Sequence, residues 1–333
     1  MMKIEAGRMP AVSQNQRKVQ WQRWQRRAAP WMFLTPFVVL FLCFGVFPIL
    51  FSLFLSFHSW NPADGWAGMK FVGLENFSFA LGDEWFWKSL WNTALLALLS
   101  GLPQHLVAIP LAYFLHTSFK RSRNLVVGAY FVPYITSTVA VTLMFTALFS
   151  TDFGVINAAL LWLAKLPLVG GLFPVEAVDW IGKPAFIQPA VAFIVFWRFV
   201  GFNTVLYLAA LQTIPKELYE AAEMDGAGKW QQFWHITLPL LRPMMFFGAT
   251  LSVIGGLQLF DEPFVLTGGR GGADQAVLTT AMYMFRSAFE FGEYGAASAI
   301  SWLLFVIIAL LSWLTHKIFG QHDEAAEKGE QHA

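Results

Sequence analysis

Few residues in this sequence are placed to do chemistry. Glu220 and Glu223 stand three apart, which on a helix gives their carboxyls one face and the spacing of an acid/base pair. They sit on an exposed polar stretch, where that role is the poorer reading. Gly226-Ala227-Gly228-Lys229 has the outline of a phosphate loop, but Trp230 follows where Ser or Thr is needed and Glu223 fills the place of the first glycine. ATP and magnesium, if used, therefore belong to another chain, and no cofactor is expected in this one. The histidines (His58, His105, His116, His235, His316, His322, His332) form no pair at metal-ligand spacing, and there is no Cys-x-x-Cys or His-Glu-x-x-His. The single Cys43 lies in an apolar run, can form no internal disulfide and reads as a small core or lipid-facing residue. No catalytic constellation emerges.

Ionisable and polar groups inside apolar runs are the remaining candidates, because such groups are costly in a membrane. Arg198 stands roughly four helical turns before the polar segment that begins at Gln212. It either lies at depth, lining a pathway or pairing with Asp261 or Glu262, or carries its stem through lipid to the interface; both readings stand. Asp261 and Glu262 are expected at the outer rim, and Gln258, one turn deeper, on the pathway. Asn203, Thr136 and Thr138 suit bonds between neighbouring helices.

Composition says what must position these groups. Hydrophobic residues make up 56% and charged residues 13%, mean hydropathy is +0.52, and there are 34 Phe and 15 Trp. That is a polytopic membrane composition rather than a soluble one, and no nucleic-acid partner is expected. Spans need about 20 apolar residues. They fit near residues 31–57, within 89–119, within 124–151 (interrupted by Pro133), at 186–211, 243–265 and 294–316. The apolar run 156–163 is too short and reads as an interfacial external helix. The expected fold is all-α, with six transmembrane helices. The domains are a basic arm at 1–30 that rests Trp21 and Trp24 on lipid headgroups, a transmembrane domain at 31–317 and a tail at 318–333.

Of the 22 Lys/Arg, fifteen fall in the arm, the turn at 118–124, the segment 212–243 and the tail, against six in the three other loops. The positive-inside rule then puts both termini and the segment 212–243 in the cytoplasm.

That segment is a helical island between the fourth and fifth spans. Pro215 suits a first helical turn, and Glu217 and Glu220 suit the positive end of the helix. Leu218, Ala221, Ala222 and Asp225 share a face. Gly226 and Gly228 break the helix, and Gly228 is expected to provide the bend through φ > 0. Trp230, Phe233 and Trp234 form an aromatic face, and Pro239 and Pro243 end the segment.

Glu220-Ala221-Ala222, three residues, Gly226-Ala227-Gly228, then Ile236-Thr237-Leu238-Pro239-Leu240 resembles the signature cytoplasmic loop of permease subunits in binding-protein-dependent ABC importers. The flanks Leu211–Tyr219 and Leu240–Pro243 resemble the carbohydrate-uptake branch, the relatives of the larger maltose permease subunit and of glycerol-phosphate permeases. The resemblance implies a multi-pass inner-membrane permease moving a sugar by alternating access. It implies a homologous second permease, an ATPase dimer on the cytoplasmic face, an external solute-binding protein and surrounding lipid as partners. ATPase coupling would fall to Glu220, Ala221, Ala222, Asp225, Gly226, Gly228 and Pro239. The solute pathway would include Tyr134, Thr138, Val195, Phe199, Phe202 and Gln258. Val195 stands where the maltose subunit has an amide, which argues against maltose itself. A polar anionic solute such as glycerol phosphate is the alternative. A stand-alone ion-coupled transporter would need a carboxylate deep in a span, and none is expected here; an intramembrane enzyme would need paired catalytic residues.

Overall fold

The computed structural model describes residues 14–117, 123–167 and 170–330. It is almost entirely helical. The chain begins with α1 (Gln14–Phe41), a π-helical turn (Leu42–Val46) and α2 (Phe47–Ser56). A small hairpin of β1 (His58–Ser59) and β2 (Lys70–Phe71) pairs antiparallel, with His58 opposite Phe71. Next come α3 (Glu75–Gly82), α4 (Glu84–Thr117), α5 (Arg123–Ile135), α6 (Thr138–Leu148), α7 (Val155–Ala164) and α8 (Pro184–Leu211). The island comprises α9 (Lys216–Met224), α10 (Lys229–Gln232), a second π-helical turn (Phe233–Thr237) and α11 (Leu238–Leu240). The chain closes with α12 (Arg242–Leu257), α13 (Asp261–Thr267), α14 (Thr280–Phe289) and α15 (Tyr294–Glu330).

Among the described residues, five stretches are long and apolar enough to cross a membrane: Ala28–Ser56, Glu84–Thr117, Pro184–Leu211, Arg242–Thr267 and Tyr294–Lys317. A sixth is the bent pair Leu125–Ile135 and Thr138–Leu148, whose two parts meet at 95°. The bend follows Pro133, which has no amide hydrogen to give the helix. Thr136 caps the end by donating both its amide (3.1 Å) and its hydroxyl (2.8 Å) to the Val132 carbonyl. The short helix expected at 156–163 is α7, ten residues long.

The chain up to Leu55 forms one compact unit and the remainder a second. In the first unit, stacked phenylalanines (Phe37 on Phe41, Phe47 on Phe51) lie along the helix. Trp21 and Trp24, which were expected to rest on headgroups, stack on each other with ring centroids 5.3 Å apart. Residues 1–13 of the basic arm, 118–122 of the basic turn and 331–333 of the tail lie outside the described residues.

The second unit is built on α4 and α8. Two apolar cores flank the middle of α8: Leu96, Val141, Phe145, Ile187, Val191 and Val195 on one side, and Ala108, Ala112, Tyr207, Leu208, Leu211 and Phe233 on the side of the island. Gly201 lets α8 meet α5 closely, since a β-carbon there would fall 1.7 Å from the Tyr130 carbonyl oxygen. In lipid every polar group must find a partner inside the protein. Asn203 donates to Gln104 (3.0 Å), and His105 joins Tyr207 (2.7 Å) and Ser252 (2.9 Å), tying α4, α8 and α12 together. At the end of α4 away from the island, Asn92 donates to the carbonyls of Gln275 and Leu278, and Gln188 to that of Ala276, which fastens the segment before α14. Nearby, the Tyr283 hydroxyl donates to the Asp83 carboxylate; burial and that bond hold its pKa above the ordinary tyrosine value.

Candidate functional site

A cavity of about 470 Å³ opens between the two cores, bounded by the middle of α4, the end of α5, the middle of α8 and the end of α12. Its shape depends on a break in the fifth span. Helix α12 stops at Leu257, Gln258 (φ −102, ψ 13) and Phe260 (φ −134, ψ −55) leave helical geometry, and α13 starts at Asp261. The chain thus turns at the cavity, and residues 258–262 line it.

Five of the six expected pathway residues meet there: Tyr134, Val195, Phe199, Phe202 and Gln258. Tyr134 stacks on Phe202 (centroids 4.5 Å, 24°) and meets Phe199 edge-on (5.6 Å, 69°), which makes an aromatic wall from α5 and α8. Gln258 is exposed into this space. Thr138 is not brought to it: beyond the bend at 136–137 it begins α6, and its carbonyl accepts from Thr142 at 2.9 Å. Val195 presents an apolar surface that is largely buried in the first core.

Arg198 lies at depth. It precedes the end of α8 by thirteen residues, about 20 Å of helical rise. Its Nη1 donates to Glu262 Oε1 at 2.9 Å, and its guanidinium lies 5.3 Å from the Phe199 ring centroid. This corrects the expectation for Glu262, which is a buried partner and not a rim residue; its side chain is 4% exposed. Asp261, next to it, is exposed as expected. A carboxylate therefore does lie deep in this chain, contrary to the expectation that none would. It is engaged by an arginine.

Ser100, Gln104, Asn203 and Ser252 also line the cavity, and sequence reading had given only Asn203 any role. Ser100 and Gln104 are four apart in an apolar run, a same-face polar pair that could have marked them.

The island is the second candidate surface. Helix α9 ends in a motif in which the Ala227 amide donates to the Ala222 carbonyl (2.8 Å) and the Gly226 amide to that of Glu223 (3.0 Å). The left-handed residue is Gly226, with φ 81. Gly228 is extended (φ −70, ψ 162) and caps α10, its amide donating to Gln231 Oε1 at 2.9 Å. The bend expected at Gly228 therefore sits two residues earlier. Glu220, Ala221, Asp225, Gly226 and Gly228 are exposed, whereas Ala222 and Pro239 are half-buried. Met224 (89% exposed) and Trp230 (71%) extend the same surface with apolar groups. The island is held from beneath. Tyr113 of α4 donates to the Lys229 carbonyl (3.0 Å) and packs edge-on against Phe233 (5.0 Å), and Tyr219 bonds Thr237 (3.0 Å).

Known proteins resemble this chain in sequence, and solved structures resemble it in fold. The arabinooligosaccharides transport system permease protein of Bacillus subtilis is 31% identical over 323 residues, 96% of this chain and 98% of its own. The lactose transport system permease protein of Rhizobium radiobacter is 33% identical, covering 85% of this chain and 91% of its own. The sulfoquinovosyl glycerol transport system permease protein of Agrobacterium fabrum is 30% identical, covering 86% and 90%. A chain from the crystal structure of a bacterial ABC transporter involved in import of the acidic polysaccharide alginate has the same fold, with TM-score 0.72 at 22% identity over 91% of this chain and 98% of that one. Residues 107–320 match the model of a family of transport proteins. The chain belongs to that family, the binding-protein-dependent transport system inner membrane components.

Proposed function

We propose that this chain is the sugar-conducting permease subunit of an ATP-driven importer, working by alternating access. The observation that carries the reading is the cavity midway along the spans, where the aromatic wall of Tyr134, Phe199 and Phe202 faces the amides of Gln104 and Gln258. Sugars offer C–H faces to aromatic rings and hydroxyl rims to amides, and named relatives carry arabinooligosaccharides, lactose and sulfoquinovosyl glycerol. Partner ATPases hydrolyse the ATP. A homologous permease completes the pathway, and a solute-binding protein delivers the sugar from outside.

Both termini and the island face the cytoplasm, with residues 1–30 and 318–333 flanking a transmembrane domain at 31–317. ATP-driven closure of the ATPases moves α9 as a lever through Glu220, Ala221, Ala222, Asp225, the break at Gly226–Gly228 and Pro239. Thr138 has no solute contact in this arrangement.

Charge reversal tests the coupling. Glu220→Lys sets like charges against a basic ATPase socket, and reversal of that kind can cost several kcal/mol at an interface. The expected result is normal membrane insertion with loss of solute-stimulated ATP hydrolysis, partly restored by an acidic residue in the socket. Full transport by Glu220→Lys would make the island a passive surface.

A further inference from the structure

The cavity's charges bear on which solutes it passes. Its lining, among the described residues, contains one cation, Arg198, and two carboxylates, Glu262 and Asp261. Arg198 and Glu262 are joined at 2.9 Å, with side chains 16% and 4% exposed. Each neutralises the other in a region of low dielectric, where an uncompensated charge would dominate the local field. Asp261 is exposed and leaves the lining with a net negative charge. The other polar lining groups, Ser100, Gln104, Asn203, Ser252 and Gln258, are hydroxyls and amides.

The arginine also keeps unused donors: its Nε is buried without an acceptor, and a guanidinium has five N–H groups. A sulfonate, phosphate or uronate would need a free cation, and this cavity supplies none.

We infer that the cavity selects a neutral, hydroxyl-rich solute and disfavours anions, because its one guanidinium is already matched by Glu262 and its remaining charge, Asp261, is negative. The inference rests on the reading of this cavity as the solute pathway. It sets the anionic alternative aside and assigns Glu262 as a specificity-determining residue that keeps Arg198 from acting as an anion trap.

A reporter thiol measures the cavity's charge without knowledge of the solute. Gly255 lines the cavity, is exposed and has nothing within 4 Å of an added β-carbon. Gly255→Cys in a Cys43→Ser background, in the assembled importer, is treated with trimethylammonium-ethyl, sulfonatoethyl and uncharged methyl methanethiosulfonate. Rates are compared with those of free 2-mercaptoethanol. The cationic reagent should be favoured over the anionic one several-fold more than in free solution. Glu262→Gln should lower the cation-to-anion ratio roughly tenfold, the scale of one unit charge several ångströms away in a partly screened site. Asp261→Asn, at an exposed position with no ion pair to disturb, should also lower the ratio. A parent cavity that favours the anionic reagent overturns the inference and leaves the permease reading standing. If even the uncharged reagent fails to reach residue 255 in every nucleotide state, the cavity is no pathway, and the proposed function falls with the inference.

Discussion

Gly226 and Gly228 are two residues apart, and the structure assigns them opposite sensitivities. Gly226 has φ 81, and no atom lies within 4 Å of a β-carbon added there, so Gly226→Ala incurs only the backbone penalty. A left-handed conformation costs an L-residue about 1–2 kcal/mol. That lowers the population of the bend about 5–30-fold. If the ATPase docks only on the bent form, apparent affinity falls by the same factor. Gly228 has φ −70, and a β-carbon there would meet only Gln231 Oε1 at 3.9 Å. Gly228→Ala should therefore be neutral, or stabilise the island by about 0.4–1 kcal/mol by restricting the unfolded chain. Gly226→Asn should recover most of the loss, since asparagine tolerates the left-handed region. Titration of the ATPase onto the permease in nanodiscs reads all three. Equal damage from alanine at both positions, or asparagine no better than alanine at 226, would refute the assignment of the bend.

Tyr134→Ala and Gln258→Ala should each abolish or sharply reduce uptake in proteoliposomes, while assembly and basal ATP hydrolysis persist; undiminished uptake of every accepted solute would remove the cavity from the pathway. Arg198→Gln strands Glu262 as a buried charge, and breaking such a pair costs about 3–5 kcal/mol. Thermal unfolding should show that loss, with most of it regained in the double variant Arg198→Met, Glu262→Leu. Gly201→Ala forces a methyl group against the Tyr130 carbonyl, so overpacking of about 1–3 kcal/mol should lower the melting temperature and the yield of assembled complex. Unchanged melting would mean that α5 and α8 do not meet there.

The spans were legible because length and apolarity are properties of the sequence alone. The aromatic wall was reached only through the family resemblance, since Tyr134 and the pair Phe199 and Phe202 come from different helices with no shared periodicity. Glu262 was misplaced for a definite reason. Counting residues along the fifth span assumes one continuous rod, and nothing in Gln258-Leu259-Phe260 announces that the rod is broken there. The break at Gly226–Gly228 was legible, but the bend was assigned to Gly228 rather than Gly226 because both glycines could supply it. The choice depends on the hydrogen bonds that end α9, and these become visible only when the carbonyls of Ala222 and Glu223 are placed.

A machine that opens alternately to two sides needs a part that stays still, and the fastenings on α4 mark that part. Asn92 holds the segment before α14, Gln104 and His105 hold α8 and α12 beside the cavity, and Tyr113 holds the island. One 34-residue helix thus serves as a common axle for the segment before α14, the cavity and the island. Pro103 and Pro110 lie between the outermost fastenings, Pro103 beside the cavity and Pro110 toward the island, the positions where this helix has a cause to bend. A displacement of the island would therefore reach the cavity through α4 itself, without first passing through the loops that join the spans.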